Sequence, residues 1–259
     1  MEAQQRSYVT YHHSALDRNV APDSVHEAPI TLLESRAIIA AGGTTGLRTW
    51  DSSLHLGQYL CKNPSIIHGK RLLELGAGTG YLSILCAKYL GAEHVVASDG
   101  SDDVINNLPD SLFLNGLQGS DRVVPMDLKW GHALVGTEEK EWNGGRGIDL
   151  VIGADITYDD RIIPPLVGTL GELSSLHPDV EILISAAERN IRTYEKFVEA
   201  CQRAGYQVNN VDFAITPKDE QMGPFYEDRI PIHICKLSRK KEHSNAHDRR
   251  KGHLAVVWE

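Results

Sequence analysis

The segment LLELGAGTGYL, residues 72–82, passes from an apolar run through an acid, Glu74, into glycines at 76, 78 and 80. Glycines so spaced let a chain turn sharply and let a ligand lie against bare backbone. A second acid, Asp99, ends the next apolar run 19 residues beyond Gly80 (99 minus 80). That is close to the ~20-residue offset at which a carboxylate receives ribose hydroxyls. Two details narrow the nucleotide. A dinucleotide fingerprint G-x-G-x-x-G would need its third glycine at 81, where Tyr81 stands. Glu74, two residues before the first glycine, would repel a pyrophosphate and attract a cationic amine. A ligand with an amine, a ribose and no phosphate suits all of these features, and S-adenosylmethionine (SAM) is such a ligand.

Two further strand ends carry candidates. In MDLKWG, Asp127 and Trp130 could supply an acceptor and an aromatic wall for an adenine ring; a loop acid and a core tryptophan fit the same residues. Trp50 heads an amphipathic segment, where it could lie against the cofactor or staple the helix. In GADITYD, Asp155 and Tyr158 stand three apart. Methyl transfer from a sulfonium is an in-line displacement by a neutral nucleophile, catalysed mainly by orientation and desolvation, with no metal required. Asp155 could hold an incoming lysine ammonium and Tyr158 could shape the pocket and direct the amine lone pair. A helix N-cap followed by a buried tyrosine is the structural alternative.

These positions need a scaffold that brings strand ends together. Apolar, β-branched runs at 71–76, 94–99, 121–128, 148–155 and 180–188, with YQVNNVDF and IPIHICKL later, alternate with segments of helical period. Leu82, Leu85, Cys86, Tyr89 and Leu90 share one face before Gly91. Tyr194, Phe197, Val198 and Cys201 share another, between an Asn190 cap and Gly205. Such alternation predicts an open α/β sheet, mostly parallel, with helices on both faces and ligands beyond the carboxyl ends of the strands. Pro109 predicts a kink or a late helix start between 101 and 115. Residues 131–147 read as a polar surface loop. The expected organisation is an N-terminal extension over 1–29, partly disordered or packed on the domain, a catalytic domain over 30–237 and a basic tail over 238–259.

Composition excludes several classes. With 259 residues, 41% of them hydrophobic, one full core is expected. No run approaches the ~20 apolar residues of a membrane span, and no leader is evident, so the cytoplasm is the expected location. Cys61, Cys86, Cys201 and Cys235 include no CxxC and sit in apolar surroundings, which predicts reduced core thiols rather than disulfides or a zinc site. A net charge of -9 argues against a nucleic-acid surface. The tail between Ser238 and His253 carries six Lys or Arg against two Asp or Glu, a local +4 (6 minus 2), which could touch ribosomal RNA or act as a targeting signal but reads first as a solvated segment. No heptad or apolar strip is evident, so a monomer is expected.

The chain resembles the family 16 group of seven-β-strand protein-lysine methyltransferases. The resemblance rests on TLLESRAIIAAGGTTGLRTWDSSLHL (31–56), LLELGAGTG (72–80), SDG (98–100), LFLNGL (112–117), MDLKWG (126–131), GADITYD (153–159), ERNIRTYEKF (188–197) and GPFYEDR (223–229). It covers residues from about 30 to 237. It implies a Rossmann-like seven-stranded sheet whose last strand, IPIHICKL, is antiparallel. It implies SAM contacts at Trp50, at the backbone of Gly76, Ala77 and Gly78, and at Asp99, Trp130 and Ala154, with S-adenosylhomocysteine as product. Asp155 and Tyr158 match a D-x-x-Y motif associated with lysine positioning. Glu188, Arg189, Asn190, Phe225 and Tyr226 fall in segments expected to border the substrate entrance. The expected substrate is a lysine of translation elongation factor 2. The same fold acting on another protein or a small amine is a second reading, and a non-catalytic SAM-binding or chaperone-associated protein is a third, against which the intact D-x-x-Y argues.

Overall fold

The structure is a computed structural model and describes residues 6–16, 28–35, 43–132, 134 and 147–239. Its centre is a seven-stranded sheet of β3 (Arg71–Leu75), β4 (His94–Asp99), β5 (Val123–Asp127), β6 (Leu150–Ala154), β7 (Glu181–Ala187), β8 (Tyr206–Asn210) and β9 (Ile232–Arg239). The spatial order is β5-β4-β3-β6-β7-β9-β8. Pairing is parallel from β5 to β7, and β9 runs antiparallel to both β7 and β8. The seven expected strands are all present, with IPIHICKL as the antiparallel one.

The central strands are covered on both faces, which is why they read as unbroken apolar runs rather than alternating ones. Leu72 and Ile152 point into one core with residues of α1 (Asp51–Lys62), α2 (Tyr81–Lys88) and α3 (Asp102–Leu114). Leu73 and Val151 point into a second core with α4 (Ile163–Leu176) and α5 (Ile191–Arg203). The four cysteines are buried and unpaired within these cores. From β3 the chain winds outward to β4 and β5, then returns to β6 on the other flank of β3. The sheet therefore reverses its direction of winding between β3 and β6, the place where an open α/β sheet leaves a crevice.

One local result differs from expectation. Helix α3 begins at Asp102 and continues through Pro109, so the late start is not observed. An interior proline costs ~3 kcal/mol, but burying Val104, Leu108 and Leu112 returns ~1.5–3 kcal/mol each. Asp102 and Asp103 also suit the helix N-terminus. Ahead of the sheet, β1 (Arg6–His12) pairs antiparallel with β2 (Pro29–Ser35), Val9 opposite Leu32. Ile30 and Leu32 enter the first core. The outer edge of β2 is satisfied by two side chains of the α3 region: Thr31 N donates to Asn115 Oδ1 at 3.1 Å, and Asn107 Nδ2 donates to Leu33 O at 3.2 Å. Amides thus replace a missing neighbour strand. Most of the loop read over 131–147 and the tail from 240 onward lie outside the described residues. Among the described residues no helix is long and apolar enough to cross a membrane.

Candidate functional site

A cavity of about 1040 Å³ opens at the carboxyl ends of β3, β4 and β6. Gly76, Ala77 and Gly78 form its floor, Asp99 and Trp130 one side, and Ala154, Asp155 and Tyr158 another. Trp50, Glu74 and Arg189 complete the set of expected residues that line it. Residues up to 139 positions apart in sequence (189 minus 50) thus meet around one volume. It is large enough for a nucleoside, an amino-acid chain and an arriving side chain.

The floor depends on left-handed backbone. Gly76 and Gly78 have φ of 68° and 55°, a region costly for other residues. A Cβ on Gly78 would stand 2.9 Å from the carbonyl oxygen of Gly46, so the 43–50 segment lies directly against the glycine turn. The Gly78 amide donates to Asp99 Oδ2 at 3.2 Å, and the Ser101 amide donates to Oδ1 at 3.0 Å. Burial raises the Asp99 pKa despite these donors, and each oxygen keeps a lone pair for a hydroxyl. A further support was not foreseen. Buried Glu34 of β2 accepts from Tyr11 Oη at 3.0 Å and Thr49 Oγ1 at 2.6 Å, and Thr49 meets Thr79 at 2.7 Å. The N-terminal strands are thereby tied to the glycine turn.

Glu74 is buried below the floor and accepts from the Ser83 hydroxyl. Burial, with the nearby Asp99 charge adding to it, pushes its carboxyl up to about 8, so it is mostly protonated at neutral pH until a cation arrives. Without ligand, the stability this group lends is full below the ordinary carboxyl pKa and is lost as pH rises through 8. The opposite holds for ligand: a cationic amine is bound by the ionised form, so affinity should rise about tenfold between pH 6 and 7 and level off above 8. Calorimetry in buffers of different protonation enthalpy should show about one proton released on binding at pH 7. Glu74→Gln should remove that release, and a native protein that releases none would show that Glu74 does not face the amine.

These features accommodate SAM. Bare backbone forms the floor, a carboxylate is poised for ribose, and the Trp130 Nε1, buried with no hydrogen-bond partner, is a donor awaiting an acceptor.

The fourth strand end differs from expectation. Asp155 has a φ of 58°, a left-handed position that aspartate tolerates better than most residues. Its amide donates to Ser185 O at 2.8 Å. Both carboxylate oxygens are taken by Arg189, whose Nη1 and Nη2 donate at 2.7 Å each. The guanidinium also lies over the Trp50 ring at 5.0 Å, with Arg48 over the same ring at 5.5 Å. The expectation that Asp155 offers a free carboxylate to a lysine ammonium is thus corrected: the charge is already paired. Tyr158 is 54% exposed at the mouth, not the buried tyrosine of the alternative reading.

Six expected residues do not line the cavity. Gly80, with φ 85°, caps α2. Asp127 turns to solvent, 3.5 Å from Lys129 Nζ, so it is not placed to read an adenine. Glu188 accepts from His233 Nε2 at 2.7 Å, and Asn190 caps α5 by accepting from Arg192 N. Phe225 is 64% exposed outside the cavity. Tyr226 is a core residue rather than an entrance residue, 4% exposed, its hydroxyl donating to Gln58 Oε1 at 2.9 Å and meeting His55 Nδ1 at 2.9 Å.

The chain matches the model of a lysine methyltransferase family over residues 37–204. It is 58% identical over 237 residues to Protein-lysine N-methyltransferase EFM3 of Chaetomium thermophilum, a match spanning 92% of this chain and 69% of that one. To Protein-lysine N-methyltransferase EEF2KMT of Homo sapiens it is 30% identical over 221 residues, spanning 81% of this chain and 64% of the relative. The chain therefore covers about two thirds of the length of these relatives. Among solved structures, a SAM dependent methyltransferase from Aquifex aeolicus shares the fold at a TM-score of 0.51, with 16% identity, over 71% of this chain and 90% of that chain.

Proposed function

The chain belongs to the lysine methyltransferase family and is, by family and fold, a SAM-dependent protein-lysine N-methyltransferase; we propose that it methylates a lysine of translation elongation factor 2, acting as a monomer in the cytoplasm. The observation that carries the site assignment is that the glycine floor with Asp99 and the D-x-x-Y pair line one cavity. The substrate assignment rests on the resemblance of the whole 30–237 region.

Bound SAM supplies an electrophilic methyl on a sulfonium. The residues of the chain bind and orient around it. Glu74 holds the amine, Asp99 the ribose hydroxyls, and Trp130 gives one wall and a donor. Trp50, capping α1 without a side-chain cap bond, closes the side nearest Arg189. Asp155, held by Arg189, fixes the bend that sets Ala154 on the wall. Tyr158 stands at the mouth, where its hydroxyl can accept from the amine and turn the lone pair inward. Orientation of this kind supplies most of the rate in a displacement.

Substrate class is tested by incubating the protein and labelled SAM with extract from cells whose elongation factor 2 lacks its modification, alongside free lysine and small amines. The expected result is one labelled protein of that factor's mass and no label on free amines. Label on a different protein would keep the enzyme and discard the substrate, and label on free amines would favour a small-molecule methyltransferase.

A further inference from the structure

The amine that attacks must be neutral, yet a lysine in water, with a pKa near 10.4, is neutral in only about one molecule in 2,500 at pH 7. A free carboxylate beside it would make matters worse, and a nearby cation would help. The wall that carries Asp155 has an unexpected charge balance. Asp155 is 6% exposed at its side chain and Arg189 34%, so an arriving side chain meets the guanidinium and the Trp50 ring rather than the carboxylate. The other charges facing Arg189 are Asp51, at the start of α1, and Arg48. Asp51 has its pKa raised by burial, with Arg48 and Arg189 opposing that rise. Glu227 bonds Asp51 only through backbone. Two acids and two arginines leave this wall with no net charge.

We propose that Arg189 keeps the incoming lysine neutral: by pairing with Asp155 and facing the cavity, its guanidinium denies the amine an anionic partner. This rests on the proposed lysine methyl transfer at this site. The ammonium proton passes to water at the mouth. The freed lone pair on nitrogen forms the N–C bond, the S–C bond breaks with its electrons staying on sulfur, and a methylammonium and a neutral thioether result. Arg189 takes no part in bond making, so its effect shows in where the pH limb lies rather than in the height of the plateau.

The test compares the unaltered protein with Arg189→Gln, Arg189→Lys and Asp155→Asn, measuring kcat against pH on the substrate protein and SAM affinity by calorimetry. Arg189→Gln exposes a net negative charge and should move the limb up by about one pH unit. Turnover then falls about tenfold at pH 7 and recovers near pH 9, with SAM affinity within threefold. Substrate affinity in the presence of S-adenosylhomocysteine should hold or improve, because the unpaired Asp155 now grips the ammonium. Arg189→Lys should stay near the original limb. Asp155→Asn leaves the cation unpaired and should move the limb down whatever happens to its plateau; it carries the test alone if Arg189→Gln does not fold. A loss in Arg189→Gln that is equal at every pH overturns the proposal. So does a tenfold loss of SAM affinity with an unmoved limb, which would make the guanidinium a holder of the cofactor's carboxylate. If the unaltered protein transfers no methyl group, the functional reading itself falls.

Discussion

Replacing Asp155 by alanine should lower methyl transfer by a factor on the order of 10² to 10³ while leaving SAM affinity within a few-fold. The carboxylate anchors Arg189 through two bonds of 2.7 Å, and without it the guanidinium is free to leave the Trp50 ring and crowd the mouth. Stability should fall as well. Losing one partner of a half-screened pair costs about 1–2 kcal/mol. Placing alanine at a φ of 58° adds about 1 kcal/mol. Asp155→Asn keeps the left-handed preference and should recover that second part, which a melting curve will read. Tyr158→Phe, exposed and carrying no packing role, should reduce transfer with no change in melting. Parallel loss of SAM binding in both variants would make the two residues structural and remove them from the transfer step.

Gly78→Ala should weaken SAM binding by about a hundredfold or more. The left-handed φ costs a side chain about 1–2 kcal/mol. The new Cβ would press to 2.9 Å from the Gly46 carbonyl oxygen, a backbone atom that cannot swing aside. Relieving the clash shifts the 43–50 segment or the turn, and either shift breaks the Gly78 amide bond to Asp99. The φ cost falls on stability, whereas a displaced floor and a lost Asp99 bond, together on the order of 3 kcal/mol, correspond to roughly two decades of affinity. Gly116→Ala is the control: φ is 72° but nothing lies within 4 Å, so stability should drop by about 1 kcal/mol with SAM affinity unchanged. Calorimetric titration of both variants reads the difference. Native affinity in Gly78→Ala would show that the cofactor does not rest on this floor.

The features legible in the sequence were those set by local spacing. The glycines at 76 and 78, the acid at 99 and the pair at 155 and 158 each sit at a strand end, and an apolar run announces where a strand stops. The same logic gave all seven strands, because burial on both faces leaves continuous apolar runs. Features set by distant partners stayed hidden. Arg189 was expected only at the substrate entrance, and nothing in ERN marks its hold on a carboxylate 34 residues away (189 minus 155). Gly46 meets Gly78 across 32 positions, and Glu34 reads as an ordinary strand acid until Tyr11 and Thr49 close over it. Asp127 and Tyr226 were chosen by residue type, but tertiary neighbours decided their direction: Lys129 draws one outward, and His55 and Gln58 hold the other inside. β1 and β2 escaped because only one face of each is covered, and their pairing spans residues as far apart as Arg6 and Ser35.

The proposed reaction is transfer of a methyl group to a lysine of elongation factor 2 in this cavity. Its most direct test is to incubate the purified protein with methyl-labelled SAM and elongation factor 2 lacking its own modification, then follow intact mass and peptide mass spectra. The expected result is mass increments of one or more methyl groups confined to one lysine, absent without SAM and strongly reduced with Asp155→Ala. No increment on that factor, or label on a residue other than lysine, would contradict it.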